Sequence, residues 1–268
     1  MEYKIISGRT TEIRRTMMPF REKGQKVRRG TRVKGKTSLR KILANEREAV
    51  KNLARILNCN FGPGDCWITL TYPENILPAS REEAKKDLEK FLRKCRDAYR
   101  KATGEALRYV VSVSDRDGKT GEIEKRLHLH IVMDAVAYEI ITALWPAEDV
   151  TYRRLDGRGD YIGIARYMVS NAGPADGKKR WSTSKGLRKP IITEPVPVEA
   201  KERIRIPRDV SLKEREEYRD DETGMFSAYV RFTRLRDPAA SPANSGSMRE
   251  RRSSGMNEPC RVRSGRTI

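Results

Sequence analysis

The chain has 268 residues, 37% apolar and 35% charged, which is enough for one substantial core but too polar to be core throughout. No stretch approaches the ~18 consecutive apolar residues of a membrane span, and the opening MEYKIISGRT lacks the apolar run of a secretory signal, so a cytoplasmic protein with no membrane partner is expected. The net charge of +20 sits mostly at the flanks: residues 1–41 hold 14 Lys or Arg against 3 Glu, and residues 234–268 hold 8 Arg against 3 acids. Basic flanks of this kind track a polyphosphate, with nucleic acid the leading partner. Cys59, Cys66, Cys95 and Cys260 form no CxxC pair, and two histidines are too few to complete a zinc finger with them, so the cysteines read as reduced thiols.

In chain order, residues 1–38 alternate basic, Gly and Thr residues without lasting periodicity and read as a flexible basic arm. A helical stripe then runs through Leu39, Ile42, Leu43, Val50, Leu53, Ala54 and Leu57. CWITLTY at 66–72, closed by Pro73, is a buried strand. Ser80 and Glu83 make a capping box for a helix with the apolar face Ala84, Leu88, Phe91, Leu92, Cys95 and Tyr99. A strand at 108–114, a Gly-containing hairpin loop and the strand RLHLHIVMD at 126–134 follow. A short helix over 137–145 stops at Pro146, a helix carrying Ile162, Ala165, Met168 and Val169 ends before Gly173-Pro174, and 224–235 alternates as a last strand. The Ser/Pro/Arg-rich tail, 236–268, reads as disordered. This order predicts one α+β domain over 39–235, an antiparallel sheet with helices packed on one face.

Both histidines of the chain lie in the strand at 126–134. Side chains alternate on a strand, so His128 and His130 project the same way, about 6.5–7 Å apart, while Leu127, Leu129 and Ile131 point into the core. Two imidazoles on one face can converge on a divalent ion, and an oxygen ligand would complete a Mg²⁺ or Mn²⁺ site. Asp115, at the end of the preceding strand, is the candidate, with Ser114, Asp117, Glu122 and Glu124 nearby in sequence. A metal so placed could polarise a phosphodiester, and the following helix offers Tyr161 and Tyr167 as nucleophiles. Their six-residue spacing sets them about 120° apart, so only one would face the metal.

Three segments in order, WITLTY at 67–72, RLHLHIVMD at 126–134 and IARYMVSNA at 164–172, resemble motifs I, II and III of the HUH endonucleases, the rolling-circle replication initiators of plasmids and phages. More narrowly, residues 45–72 and KRWSTSKGLRKPIITE at 179–194 are similar to replication-associated proteins of phage-like and integrative elements, related to the phage gene II type. The resemblance implies an RRM-like antiparallel sheet with His128 and His130 on a central strand binding Mg²⁺ or Mn²⁺. It also implies that Tyr167 attacks a DNA phosphate, leaving a 5′-phosphotyrosyl link and a free 3′-OH that primes synthesis. Ser170 stands where that family usually carries Lys, so Arg166 or Lys178 would supply the charge, and Ser114 or Asp115 stands where relatives often carry Glu.

Lys178, Lys179, Arg180, Lys185, Arg188 and Lys189 surround Trp181, a combination of cations and an aromatic that suits single-stranded DNA. Gly118-Lys119-Thr120 ends like a P-loop, but Val113 occupies the earlier glycine position, so unwinding falls to a host or element helicase, with a polymerase as second partner. The partner expected is origin DNA, single-stranded or supercoiled. Two other readings share the pattern: a single-tyrosine HUH transposase, and a non-catalytic RRM-like protein that binds single-stranded nucleic acid.

Overall fold

The run CWITLT forms β3 (Cys66–Thr71), and its burial alternates: Cys66, Ile68 and Leu70 are fully buried, while Trp67, Thr69 and Thr71 are only partly so. That alternation fixes two faces for the sheet that β3 shares with β4 (Tyr109–Arg116), β5 (Ile123–Met133), β6 (Val150–Arg154) and β7 (Ser182–Thr183). The strand order is β6-β3-β5-β4-β7, every neighbouring pair antiparallel, so the histidine strand β5 is central. These observations come from a computed structural model, which describes residues 1–16, 39–116, 123–145, 149–172, 179–199, 204–219 and 226–235.

One face of the sheet is covered by α2 (Arg81–Thr103) and α3 (Tyr138–Leu144), whose Leu88, Phe91, Leu92 and Ile141 pack on Ile68, Leu70, Val111, Leu129 and Ile131. The expected N-cap of α2 is present: the Ser80 hydroxyl accepts from the Glu83 N–H at 3.2 Å. Glu83 reaches back one residue further than a capping box requires, accepting from the Ala79 N–H at 2.8 Å.

The antiparallel α+β architecture is as expected, and α2 and α3 share one face. The opposite face is not left bare, because α4 (Ile162–Asn171) carries its own apolar stripe, Ala165, Met168 and Val169, and buries it against Val110 and Val132 together with Leu53 and Leu57 of α1 (Leu39–Asn60). Only the C-terminal part of the α1 stripe is used this way; Leu39, Ile42 and Leu43 remain exposed.

A second sheet, unforeseen from the sequence, has the order β8-β1-β2-β10-β9 and is built from β1 (Glu2–Ser7), β2 (Thr10–Thr16), β8 (Ile191–Ile192), β9 (Val210–Arg219) and β10 (Phe226–Arg234). For residues 1–16 this corrects the expected arm. Residues 2–16 are a hairpin with buried Ile5 and Ile13, and two of their basic side chains are in ion pairs, Arg15 with Glu2 at 2.6 Å and Arg14 with Glu48 at 2.9 Å. Residues 17–38, the Gly-containing loop 117–122 and the tail 236–268 lie outside the described residues.

The helix α1 separates the two sheets. Its apolar side meets α4, and its charged side meets β2, where Arg55 grips both carboxylate oxygens of the buried Glu12 at 2.7 and 2.6 Å. The β1–β2 turn comes so close to the end of α1 that a Cβ on Gly8 (φ +56°) would lie 2.1 Å from the Asn58 carbonyl oxygen, so only glycine fits there. Among the described residues no helix is long and apolar enough to cross a membrane.

Candidate active site

Register brings the site together. His128 lies between Thr71 of β3 and Ser114 of β4, and His130 between Thr69 and Ser112, so these hydroxyl residues and both imidazoles share the α4 face. The histidine rings meet edge to face with centroids 4.7 Å apart. Trp67, two residues before Thr69 and therefore on the same face, stacks on His130 at 5.4 Å and 17°.

His130 is fully buried. Its Nδ1 is 3.1 Å from the Thr69 hydroxyl, and its Nε2 has no hydrogen-bond partner among the described residues. Burial, reinforced by the neighbouring His128, pushes its pKa from 6.5 down to about 3, so the ring is neutral at physiological pH. A neutral ring that donates through Nδ1 to Thr69 leaves the Nε2 lone pair unspent, which is the form in which an imidazole binds a metal, with a hydroxyl orienting it from behind. The donors present thus fit a divalent cation as far as the two histidines go.

The expected third ligand does not join them. Asp115 sits where the register of β4 shifts between Ser114 and Arg116, and its Oδ2 pairs with Arg81 of α2 at 2.7 Å. Arg81 also donates to the carbonyls of Val113 and Ala172, at 2.9 and 3.2 Å, so it is anchored there. Among the described residues no three His, Cys, Asp or Glu side chains gather to hold a metal. Ser114, the sequence alternative, is on the histidine face, but its hydroxyl donates to the Asn171 carbonyl at 3.0 Å.

Of the tyrosines considered, one meets the histidines. The Tyr167 ring lies 4.9 Å from that of His130 and 6.1 Å from Trp67, both edge to face, and it is 49% exposed. Tyr161 is 4% exposed, its hydroxyl donates to the Asp156 carbonyl at 3.1 Å, and burial, with Asp156 nearby, pushes its pKa up to about 12. Tyr152 packs on the α2 and α3 side, donates to the Val136 carbonyl at 2.7 Å, and is likewise pushed up to about 12, by burial first and then by its bond with Cys66. Both are satisfied structural phenols.

Around Tyr167, Ser170 points back along its own helix, donating to the carbonyls of Arg166 and Tyr167 at 2.9 and 3.3 Å. It does not stand in for a lysine. The approach to α4 is held by four bonds from elsewhere: Arg9 to the Gly157 carbonyl at 2.7 Å, Thr10 to the Gly159 carbonyl at 3.0 Å, Arg231 to Asp160 at 2.6 Å, and the Tyr161 N–H to Asn58 at 2.9 Å.

The expected DNA-binding segment starts at the β7 edge of the sheet and runs from there to the end of α1. Lys179, Arg180 and Trp181 line a cleft of about 210 Å³ with Arg81 and Lys85 of α2. Lys185 is exposed, and Arg188 is exposed while its backbone exchanges two hydrogen bonds with Asn60, at 2.8 and 2.9 Å. Lys178 lies outside the described residues. Sequence reasoning missed Trp67 and Arg153. The alternation of WITLTY already placed Trp67 with Thr69, whereas Arg153 required the pairing of β6 with β3, which its polar sequence VTYRR does not announce.

Residues 65–172 match the family model of the replication-associated proteins of the ORF2 and gene II protein type. The matched segment contains β3 to β6, α2 to α4, both histidines and Tyr167, and it supports a replication-initiator family for that part of the chain. No curated protein and no solved structure is significantly similar to the chain.

Proposed function

We propose that the protein is a DNA-nicking endonuclease and strand transferase of the HUH type that initiates rolling-circle replication of a phage, plasmid or integrative element. The observation that carries this reading is the convergence of Tyr167, His128 and His130 on one face of the sheet: an accessible phenol against a neutral, buried imidazole whose Nε2 is unpartnered among the described residues. The replication-associated family match over the same residues supports it, and the basic flanks suit a DNA partner.

His128 and His130 would hold a Mg²⁺ or Mn²⁺ ion, which when bound would draw charge off a phosphate and make its phosphorus attackable. Asp115 pairs with Arg81 through Oδ2 and is not among the donors gathered with the two histidines. The Tyr167 oxygen attacks phosphorus, its proton leaving to solvent that reaches the half-exposed ring. The bond from phosphorus to the 3′ oxygen breaks, that oxygen takes up a proton, and the 5′ phosphate stays on Tyr167. Trp67 and Thr69 fix the imidazole plane, and the bonds holding residues 157–161 fix the start of the helix that carries the phenol. The 3′-OH would serve a polymerase, and strand separation would need a helicase partner. The setting expected is the cytoplasm.

Incubation with a supercoiled plasmid bearing the element's own DNA tests this. Nicking that requires Mn²⁺ or Mg²⁺ is expected from the wild-type chain, with a loss of about a thousandfold or more in Tyr167→Phe and in the His128→Ala/His130→Ala double variant. Binding without any cleavage would instead make the protein a single-strand binding module.

A further inference from the structure

A groove of about 450 Å³ opens beside Tyr167, between the first turn of α4 and the β3–β6 edge, on the side of the sheet away from β7. Trp67, Thr69, Thr151, Arg153, Gly163 and Tyr167 line it. Trp67 is paired with Arg153 and Thr69 with Thr151, so alternation puts all four strand residues on the histidine face. The groove therefore continues the floor of the candidate active site.

Three features point to an occupant. Arg153 is exposed and has no ion-pair or hydrogen-bond partner among the described residues, a cation left for something outside the fold. Trp67 and Tyr167 stand edge to face at 6.1 Å and make an aromatic wall. Gly163 is the second residue of α4, in its first turn, where other residues serve a helix at least as well. Its φ is not in the left-handed region, and nothing lies within 4 Å of where its Cβ would stand. Neither backbone nor packing calls for glycine there. A side chain there would enter the groove that Gly163 lines.

We propose that this groove holds one unpaired nucleotide of the DNA strand cut at Tyr167, its base against the Trp67 and Tyr167 rings and its phosphate on Arg153. The volume falls in the range of small-ligand sites. Aromatic faces accept any base, a free guanidinium suits a phosphate, and the Thr69 and Thr151 hydroxyls add hydrogen-bonding edges. The identity of the ligand rests on the nuclease reading above. A strand lying across the sheet would then meet the β7-edge cations on one side of the histidines and this groove on the other, with the nucleotide next to the scissile phosphate extruded into it.

The test uses the full chain as wild type, Gly163→Met and Arg153→Gln, with fluorescein-labelled single-stranded oligothymidylate as probe and thermal unfolding as the fold control. Gly163→Met should melt at or above the wild-type temperature, because methionine is the better helix former and enters open space. It should bind the oligonucleotide about tenfold more weakly. Arg153→Gln should weaken binding about fivefold and lower the salt dependence by about one phosphate contact. Unchanged affinity in both variants, or a wild-type chain that does not bind the oligonucleotide, overturns the proposal. If Gly163→Met melts well below wild type, Arg153→Gln decides alone, since it changes no packed side chain. Loss of oligonucleotide binding in the variants of a protein that never nicks plasmid would keep the groove and sink the nuclease; full binding in variants of a protein that does nick would do the reverse.

Discussion

His130 is held neutral by its surroundings: fully buried, stacked under Trp67, bonded to Thr69 through one nitrogen and left without a partner on the other. The sign of the consequence follows from linkage. The unfolded ring takes up a proton near pH 6.5, whereas the folded one resists until about 3, so between those values the unfolded state binds more protons and stability falls as the pH is lowered. The stabilisation is fully present above about pH 6.5 and is lost on the way to about 3. In metal-free protein kept with chelator, urea unfolding at several pH values across this window should show that slope, at most about 1.4 kcal/mol per pH unit from this group. His130→Gln should flatten it, and an unchanged slope in the variant would show that the ring is not discharged by the fold. At this scale the paired histidines were legible because a period of two is a strong rule for a strand. Asp115 was the candidate for its place across the hairpin from the histidines; it sits instead where the register of β4 shifts, paired with Arg81, a partner on α2 that no local pattern indicates.

The helix that carries Tyr167 is short, and its first turn is held from the segment before it, where Asp160 accepts from the Ile162 N–H at 3.3 Å, so its position depends on that segment. That segment is tied to the second sheet by Arg9, Thr10 and Arg231 and to α1 by Asn58. The Arg231–Asp160 pair is the strongest of these, 2.6 Å long with side chains 9% and 8% exposed. Arg231→Ala would leave the Asp160 carboxylate nearly buried and uncompensated, a loss of about 3–5 kcal/mol in urea unfolding. A loss below about 1 kcal/mol would place the pair among ordinary surface bridges. Elements with one apolar stripe were readable from sequence, as α2, β3 and β5 show. β9 was not, because SLKEREEYR occupies a sheet edge where charged side chains protect an exposed strand, and such a strand carries no apolar alternation to detect.

Taken as one molecule, the chain wraps a second sheet around the family-matched segment: β1 and β2 precede residues 65–172, and β8, β9 and β10 follow them. The N-terminal charge that suggested a loose basic arm is in part internal, since Arg14, Arg15 and Arg9 are spent on Glu48, Glu2 and backbone carbonyls. Composition counts charges without their partners, and a partner far along the chain is invisible until the fold brings it close. The first sheet was foreseeable because each of its main strands is apolar on one side at least; the second was not, because its strands come from the two ends of the described chain and stabilise each other through long-range pairing.

The account's central claim is that one phenol, beside two histidines, takes over the 5′ end of a cut DNA strand. The most direct measurement is mass spectrometry of the protein after reaction with labelled single-stranded DNA from its own element and Mn²⁺, followed by digestion and mapping of any DNA-bearing peptide. The expected result is a single 5′-phosphotyrosyl adduct on Tyr167, absent with chelator and absent from the His128→Ala/His130→Ala variant. An adduct on Tyr161 or Tyr152, an adduct that forms without the histidines, or cleaved DNA with no protein attached would contradict it.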